Sequence, residues 1–275
     1  MKLRIASSIF LFALTASAFA STAPIESLTV STPGKFYIGA FGGGGSSYDF
    51  NASQLGTAFY TEAAGGPLAV NAFGQLNSKS TWFYGAQLGY QAPEIILNPS
   101  SQWTLGPAAE LEGYSMSNNS FTGDLTNNTV RLPEHDFLVS YPMSRTVVLV
   151  NAVLNFNNPR FLAHPYIGLG IGDALVRITG ASSTQINPTE GGINHYNANN
   201  SDTNSTFAGQ IKIGLSYDIN KYISVFADYR WLYLANTHFV FGSTVYTSHV
   251  ETSNWQVKLD TQRYNLGNIG VRVNL

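Results

Sequence analysis

The chain has 275 residues, of which 11 % are charged and 13 % aromatic, with 26 glycines, no cysteine and a formal net charge of −2. The charged fraction is well below the roughly 25 % of an ordinary soluble domain. The missing cysteines exclude a disulfide framework and a thiolate metal site, and the charge balance offers no basic field for nucleic acid. Past the N-terminus no run reaches the roughly 20 apolar residues of a spanning helix.

Residues 1–20 carry Lys2 and Arg4, then an apolar run to Ala16, then Ala18-Phe19-Ala20. This reads as a secretory signal peptide with an A-x-A cleavage site. Residues 21–34 form a polar, proline-containing periplasmic lead-in. From residue 35 onward the pattern is one of alternation. Strand residues point to opposite faces in turn, so a period of two marks a strand with one apolar and one polar face.

The first strand is expected over 35–47, with Phe36, Ile38 and Ala40 outward and Tyr37, Gly39 and Phe41 inward. Its run of glycines lacks the Lys-Ser/Thr of a phosphate loop and reads as a strand bending into a loop. Residues 48–80 form a long polar connection. A second strand follows over 81–92, with Trp82, Tyr84, Leu88 and Tyr90 on one parity. After a shorter link at 93–101, a third covers 102–117, placing Glu110 and Glu112 opposite Leu111. Residues 118–144 read as a long loop. A fourth strand covers 145–156, and a short turn leads to a fifth over 165–179. There Ile167, Leu169 and Ile171 alternate with Gly168, Gly170 and Gly172. Glycines at period two inside a strand argue against a dinucleotide loop and for the inner face of a tightly curved barrel. Asp173 and Arg177 break that parity, which predicts a bulge or the membrane rim.

Residues 180–205 form a third long loop. The clearest unit comes next, a hairpin over 206–233. Phe207, Ile211, Ile213, Leu215 and Tyr217 oppose Gln210, Lys212 and Asp218. After a tight turn, Val225, Tyr229, Trp231 and Tyr233 oppose Phe226, Asp228 and Arg230. Residues 234–262 form a fourth long connection, in which FVFGSTVY extends the strands beyond the membrane. The last strand covers 263–275, with Ile269, Val271 and Val273 opposite Arg272.

The expected fold is therefore all-β: an eight-stranded, antiparallel, up-and-down transmembrane β-barrel with four long outer loops and short periplasmic turns. Such barrels have an even strand number and aromatic girdles at both interfaces, and closure pairs every edge, as lipid demands. A cation on the lipid face near the midplane costs about 2–4 kcal/mol. The charged parity must then face inward, so Glu110, Glu112, Lys212, Asp228, Arg230 and Arg272 are expected to form an interior ionic network. Trp82, Tyr84, Tyr90, Tyr217, Tyr229 and Trp231 are expected to face lipid.

WFYGAQLGYQ at 82–91, PYIGLGIG at 165–172 and FADYRW at 226–231 resemble the OmpA-like or opacity-type small outer-membrane barrels of Gram-negative bacteria. The resemblance implies the outer membrane as location, lipids, lipopolysaccharide and the barrel assembly machinery as partners, and surface roles that vary among members. One departure is the C-terminal Leu275, where such barrels usually carry an aromatic residue. No periplasmic peptidoglycan-binding domain follows, so cell-wall tethering is not carried over.

The five histidines form no HExxH pattern or close pair, and those in the predicted outer loops read as solvated, with no metal site. No G-x-S-x-G elbow is present. Neither a cofactor nor a catalytic residue is expected. The favoured function is a structural or adhesion-like surface role, with a host or cell-surface ligand met by the loops. A small pore and an outer-membrane lipid-modifying enzyme are the alternatives.

Overall fold

The computed structural model describes residues 33–98, 102–129 and 132–275. The expected signal peptide and nearly all of the lead-in lie outside the described residues. Among the described residues the strands are, in chain order, β1 (Lys35–Ser47), β2 (Phe50–Ala58), β3 (Leu68–Leu76), β4 (Ser80–Gln91), β5 (Ile95–Asn98), β6 (Trp103–Thr129), β7 (Leu132–Asn157), β8 (Ala163–Thr179), β9 (Ser182–Asn187), β10 (Ser201–Asp218), β11 (Ile223–Leu234), β12 (Thr237–Phe241), β13 (Trp255–Leu259) and β14 (Gln262–Asn274).

Eight of them close on themselves. β1 pairs with β4 and with β14, and the ladder continues through β11, β10, β8, β7 and β6 back to β4, antiparallel at every step. This ring is the expected barrel. Its outward parity is apolar, with Ile213, Leu169, Ile171, Ile269 and Val271 exposed, while Tyr37, Phe41, Tyr114, Tyr166 and Phe226 are buried inside.

Large inward side chains fit a narrow barrel because each lies over a glycine. Tyr37 pairs in register with Gly89, Phe41 with Gly85, Tyr166 with Gly214, Phe226 with Gly270, and Lys212 with Gly168. A Cβ on Gly214 would come within 2.6 Å of the Tyr166 ring, and one on Gly168 within 2.9 Å of Lys212 Cγ. An eight-stranded barrel has just enough interior to be filled by side chains, and cross-strand glycines provide the room. The alternating glycines of β8 serve this purpose.

The four long connections hold more structure than their composition suggests. Residues 118–129 and 132–144 continue β6 and β7 as a paired ladder well above the apolar band. The connection after β1 contains the β2–β3 hairpin, the one after β8 contains β9, and the one after β11 contains β12 and β13. These pieces pair in the order β9-β7-β6-β3-β2-β13-β12 and form an outer storey above the membrane barrel. The storey has its own core, including Phe50, Phe121, Phe137, Tyr141, Phe241 and Trp255. Their polar sequences mislead because Asn, Ser, Thr and Gln occupy the outer face or pair inside: buried Gln54 accepts from Ser183 at 2.9 Å and from Tyr196 at 2.6 Å.

A β-bulge marks the junction between storeys. Met116 pairs with Arg145 and Asn119 with Met143, so β6 carries an extra residue. Inward residues shift from Tyr114 and Met116 to Phe121 and Leu125. The extra residue allows one strand to keep facing the axis while the sheet re-aims. β8, by contrast, has no bulge at Asp173 or Arg177. Its register runs unbroken, and both residues stay on the outward parity. They stand where the outer face stops being apolar, which is the rim alternative.

Candidate functional site

The six charges singled out above meet on the barrel axis in one unbroken chain of contacts. Arg272 donates to Glu110 at 3.2 Å, and Lys212 reaches both Glu110 and Glu112, the latter at 3.2 Å. Arg230 joins Glu112 and, through Nε, Asp228 at 2.7 Å. Three cations alternate with three carboxylates, so the formal charge cancels. Neutral groups complete the shell: Tyr37 donates to Glu110 at 2.6 Å, Tyr166 to Asp228 at 2.7 Å, and Gln210 to Glu112 at 3.3 Å. Arg230 lies 4.3 Å over the Phe41 ring and Arg272 4.3 Å over Tyr37, placements that use the guanidinium's planar, weakly hydrated face.

This layer divides the interior. Below it a cavity of about 650 Å³ opens at the periplasmic mouth, lined by Lys35, Glu94, His164, Asp218 and Arg272 among others. Above it lie Phe83, Tyr114 and Met116, then the outer core. Between the storeys sits Arg145, which the sequence reading passed over as a strand start. It is 1 % exposed, faces no carboxylate within ion-pair distance among the described residues, and is held by Tyr264 Oη at 2.5 Å, the Met143 carbonyl at 3.1 Å and the Phe121 ring at 5.0 Å. Its parity, opposite Thr146 and beside Val147, is the signal that could have placed it inside.

The six aromatic residues expected to face lipid all lie on the outward parity. Trp82, Tyr84, Tyr90, Tyr217 and Tyr229 are exposed, and Trp231 is half-buried beside Tyr233. Trp82 stacks on Tyr84 with centroids 5.7 Å apart, and Phe36 packs on Tyr90 at 4.8 Å. The first pair stands toward the outer rim and the second toward the periplasmic rim.

The histidines need correction. His195 is not a solvated loop residue. It is 2 % exposed, packed edge-on against Phe137 and Trp255, and burial holds its pKa down at about 4. Its ring lies 5.3 Å from that of His249, and both face Glu190. Sequence spacing could not reveal this group, because His249 comes from a different connection of the outer storey.

Comparison with known proteins adds a family. The sequence profile of a family described as surface antigen matches residues 77–275. No curated protein sequence matches the chain. Among solved structures, Neisserial surface protein A is 15 % identical, with 86 % of this chain and 96 % of that one covered and a TM-score of 0.33. The outer membrane protein OprG from Pseudomonas aeruginosa is 11 % identical, with 88 % and 97 % covered and a TM-score of 0.39. Ail of Yersinia pestis, the attachment invasion locus protein, is 13 % identical, with 85 % and 99 % covered and a TM-score of 0.28.

Proposed function

The chain belongs to the surface antigen family, as a β-barrel of the Gram-negative outer membrane, and from that premise we propose that it is an interaction protein that presents a rigid outer storey to partners outside the cell. In this reading residues 1–20 direct export, the assembly machinery inserts the barrel among lipid and lipopolysaccharide, and no catalytic step is involved.

The observation that carries the proposal is the core of the outer storey. Flexible loops pay an ordering cost on binding, whereas a fixed surface does not. Here Phe121, Phe137, Phe241 and Trp255 hold the outer strands in place. On its outside the storey exposes Leu55, Phe73, Leu138, Val240 and Val245 among polar neighbours, a mixture suited to recognition.

The interior supports this reading over a pore. Among the described residues the six-charge layer and the aromatic core above it occupy the axis, which favours a closed interior over an open pore. Two measurements test the proposal together. Cells displaying the protein should bind host-cell monolayers or matrix-coated surfaces, and Phe73→Ser with Val240→Ser should reduce that binding while leaving heat-modifiable gel mobility intact. Purified protein in planar bilayers should give no steady open level. Wild-type cells that bind no better than the empty host, or a sustained conductance, would overturn it.

A further inference from the structure

We propose that Glu190, His195 and His249 form a binding site for a divalent transition-metal ion of the zinc type, which ties two connections of the outer storey together. Glu190 and His195 lie between β9 and β10, and His249 lies between β12 and β13.

The argument begins with the proton positions. His195 Nδ1 lies 3.1 Å from the Ser183 carbonyl, and His249 Nδ1 faces the Val250 carbonyl. A carbonyl only accepts, so each Nδ1 carries a hydrogen, and in the neutral ring each Nε2 then presents a lone pair. Both Nε2 atoms point at one atom, Glu190 Oε2, at 3.6 Å from His195 and 3.4 Å from His249. That oxygen is buried and has no hydrogen-bond partner. With both rings neutral, three lone pairs converge on one point, an arrangement that repels itself unless a proton or a metal cation sits among them.

The spacing suits a metal. Ligands about 2.0–2.1 Å from a tetrahedral zinc ion lie about 3.3 Å from one another. The two contacts to Glu190 are close to that, and all three donor atoms lie within 4.8 Å of one another. Two imidazoles and one carboxylate are a donor set for zinc and its neighbours, not for calcium or magnesium, which take oxygen. Backbone carbonyls on both Nδ1 atoms are the outer shell that fixes ring orientation in such sites.

The frame is already built. Gly242 donates to the Asn199 carbonyl at 2.7 Å, and Asn197 and Val245 exchange two bonds of 2.8 Å, so the two connections are docked without the ion. Thr244 donates to the His195 carbonyl at 3.0 Å, and Trp255 donates to Thr244. The Glu190 side chain keeps 31 % of its surface, so one member of the group reaches solvent.

The test uses untagged, metal-stripped mature protein folded in detergent micelles. Zinc is added in competition with a chromophoric chelator, and cobalt is substituted for its visible bands. The expected result is one zinc per chain, weakened at least about tenfold by His249→Ala and by Glu190→Gln, with cobalt bands lost in both. His249 is partly exposed and its variant should keep heat-modifiable mobility. His238→Ala, an exposed histidine on β12, should bind as wild type does. Zinc should also slow subtilisin cleavage within 188–200 and 242–254. No zinc bound by the folded wild type, affinity unchanged in His249→Ala, or loss that follows His238→Ala would each overturn the site.

Discussion

Lys212 on β10 and Gly168 on β8 are register partners, and the missing side chain of the glycine is the space through which the lysine reaches Glu110 and Glu112. Gly168→Ala should therefore cost about 1–3 kcal/mol, the usual penalty for an extra carbon in a filled core. Its Cβ would meet two Lys212 carbons at 2.9 Å and Val153 at 3.3 Å. Gly209→Ala, where a Cβ meets only the Phe207 ring at 3.5 Å, should be close to neutral. Urea unfolding of the folded barrel, followed by tryptophan fluorescence, compares the two.

Two buried arginines should respond differently to the same change. Arg230→Met leaves Asp228 without its cation and Glu112 with Lys212 alone and should cost about 3–5 kcal/mol, as when one partner of a buried pair is removed. Arg145→Met orphans no carboxylate among the described residues, so its cost should be clearly smaller. Equal losses in the unfolding midpoint would count against a shared ionic layer as the organising feature of the lower storey.

Outward charges should report depth. Ile213→Lys, in the exposed apolar band, should cost about 2–4 kcal/mol near the bilayer midplane. Val240→Lys, exposed on β12 of the outer storey, should change stability by less than about 0.5 kcal/mol, as surface substitutions usually do. Reconstitution into vesicles, with unfolding followed by gel mobility, separates them. A large loss at Val240 would place the membrane boundary higher than proposed.

The outer core should weaken in alkali. Tyr141 and Tyr196 are fully buried, their hydroxyls are 3.0 Å apart, and burial raises the pKa of both above the usual tyrosine range. The charged form is thus disfavoured when folded, so above about pH 10 the unfolded chain holds fewer protons than the folded one and stability falls as pH rises. Subtilisin cleavage of residues 188–200 should accelerate between about pH 9 and 11. The paired Tyr141→Phe and Tyr196→Phe variant should have a shallower pH slope, although its baseline is lowered by the lost bond to Gln54.

Much of this molecule follows from local alternation. A strand's side chains change face at every residue, so one pass along 206–233 separates Ile213 and Tyr229 from Lys212 and Arg230 without knowledge of any partner strand. The cost of a charge in lipid then decides which face is inside. That reasoning extends to Glu110 and Arg272 on strands far apart in the chain, because all must answer to the same axis.

Alternation does not say which strands lie beside each other above the membrane, or which connections fold back on which. The outer storey exists because β3 reaches β6, β2 reaches β13 and β9 reaches β7, and together they bury Phe137 and Trp255, whereas each connection alone shows only the composition of a loop. The bulge after Met116, the position of Arg145 and the meeting of His195 with His249 are of the same kind. Each depends on pairings between segments whose own residues show only that they are polar, and such contacts are decided by the packed whole.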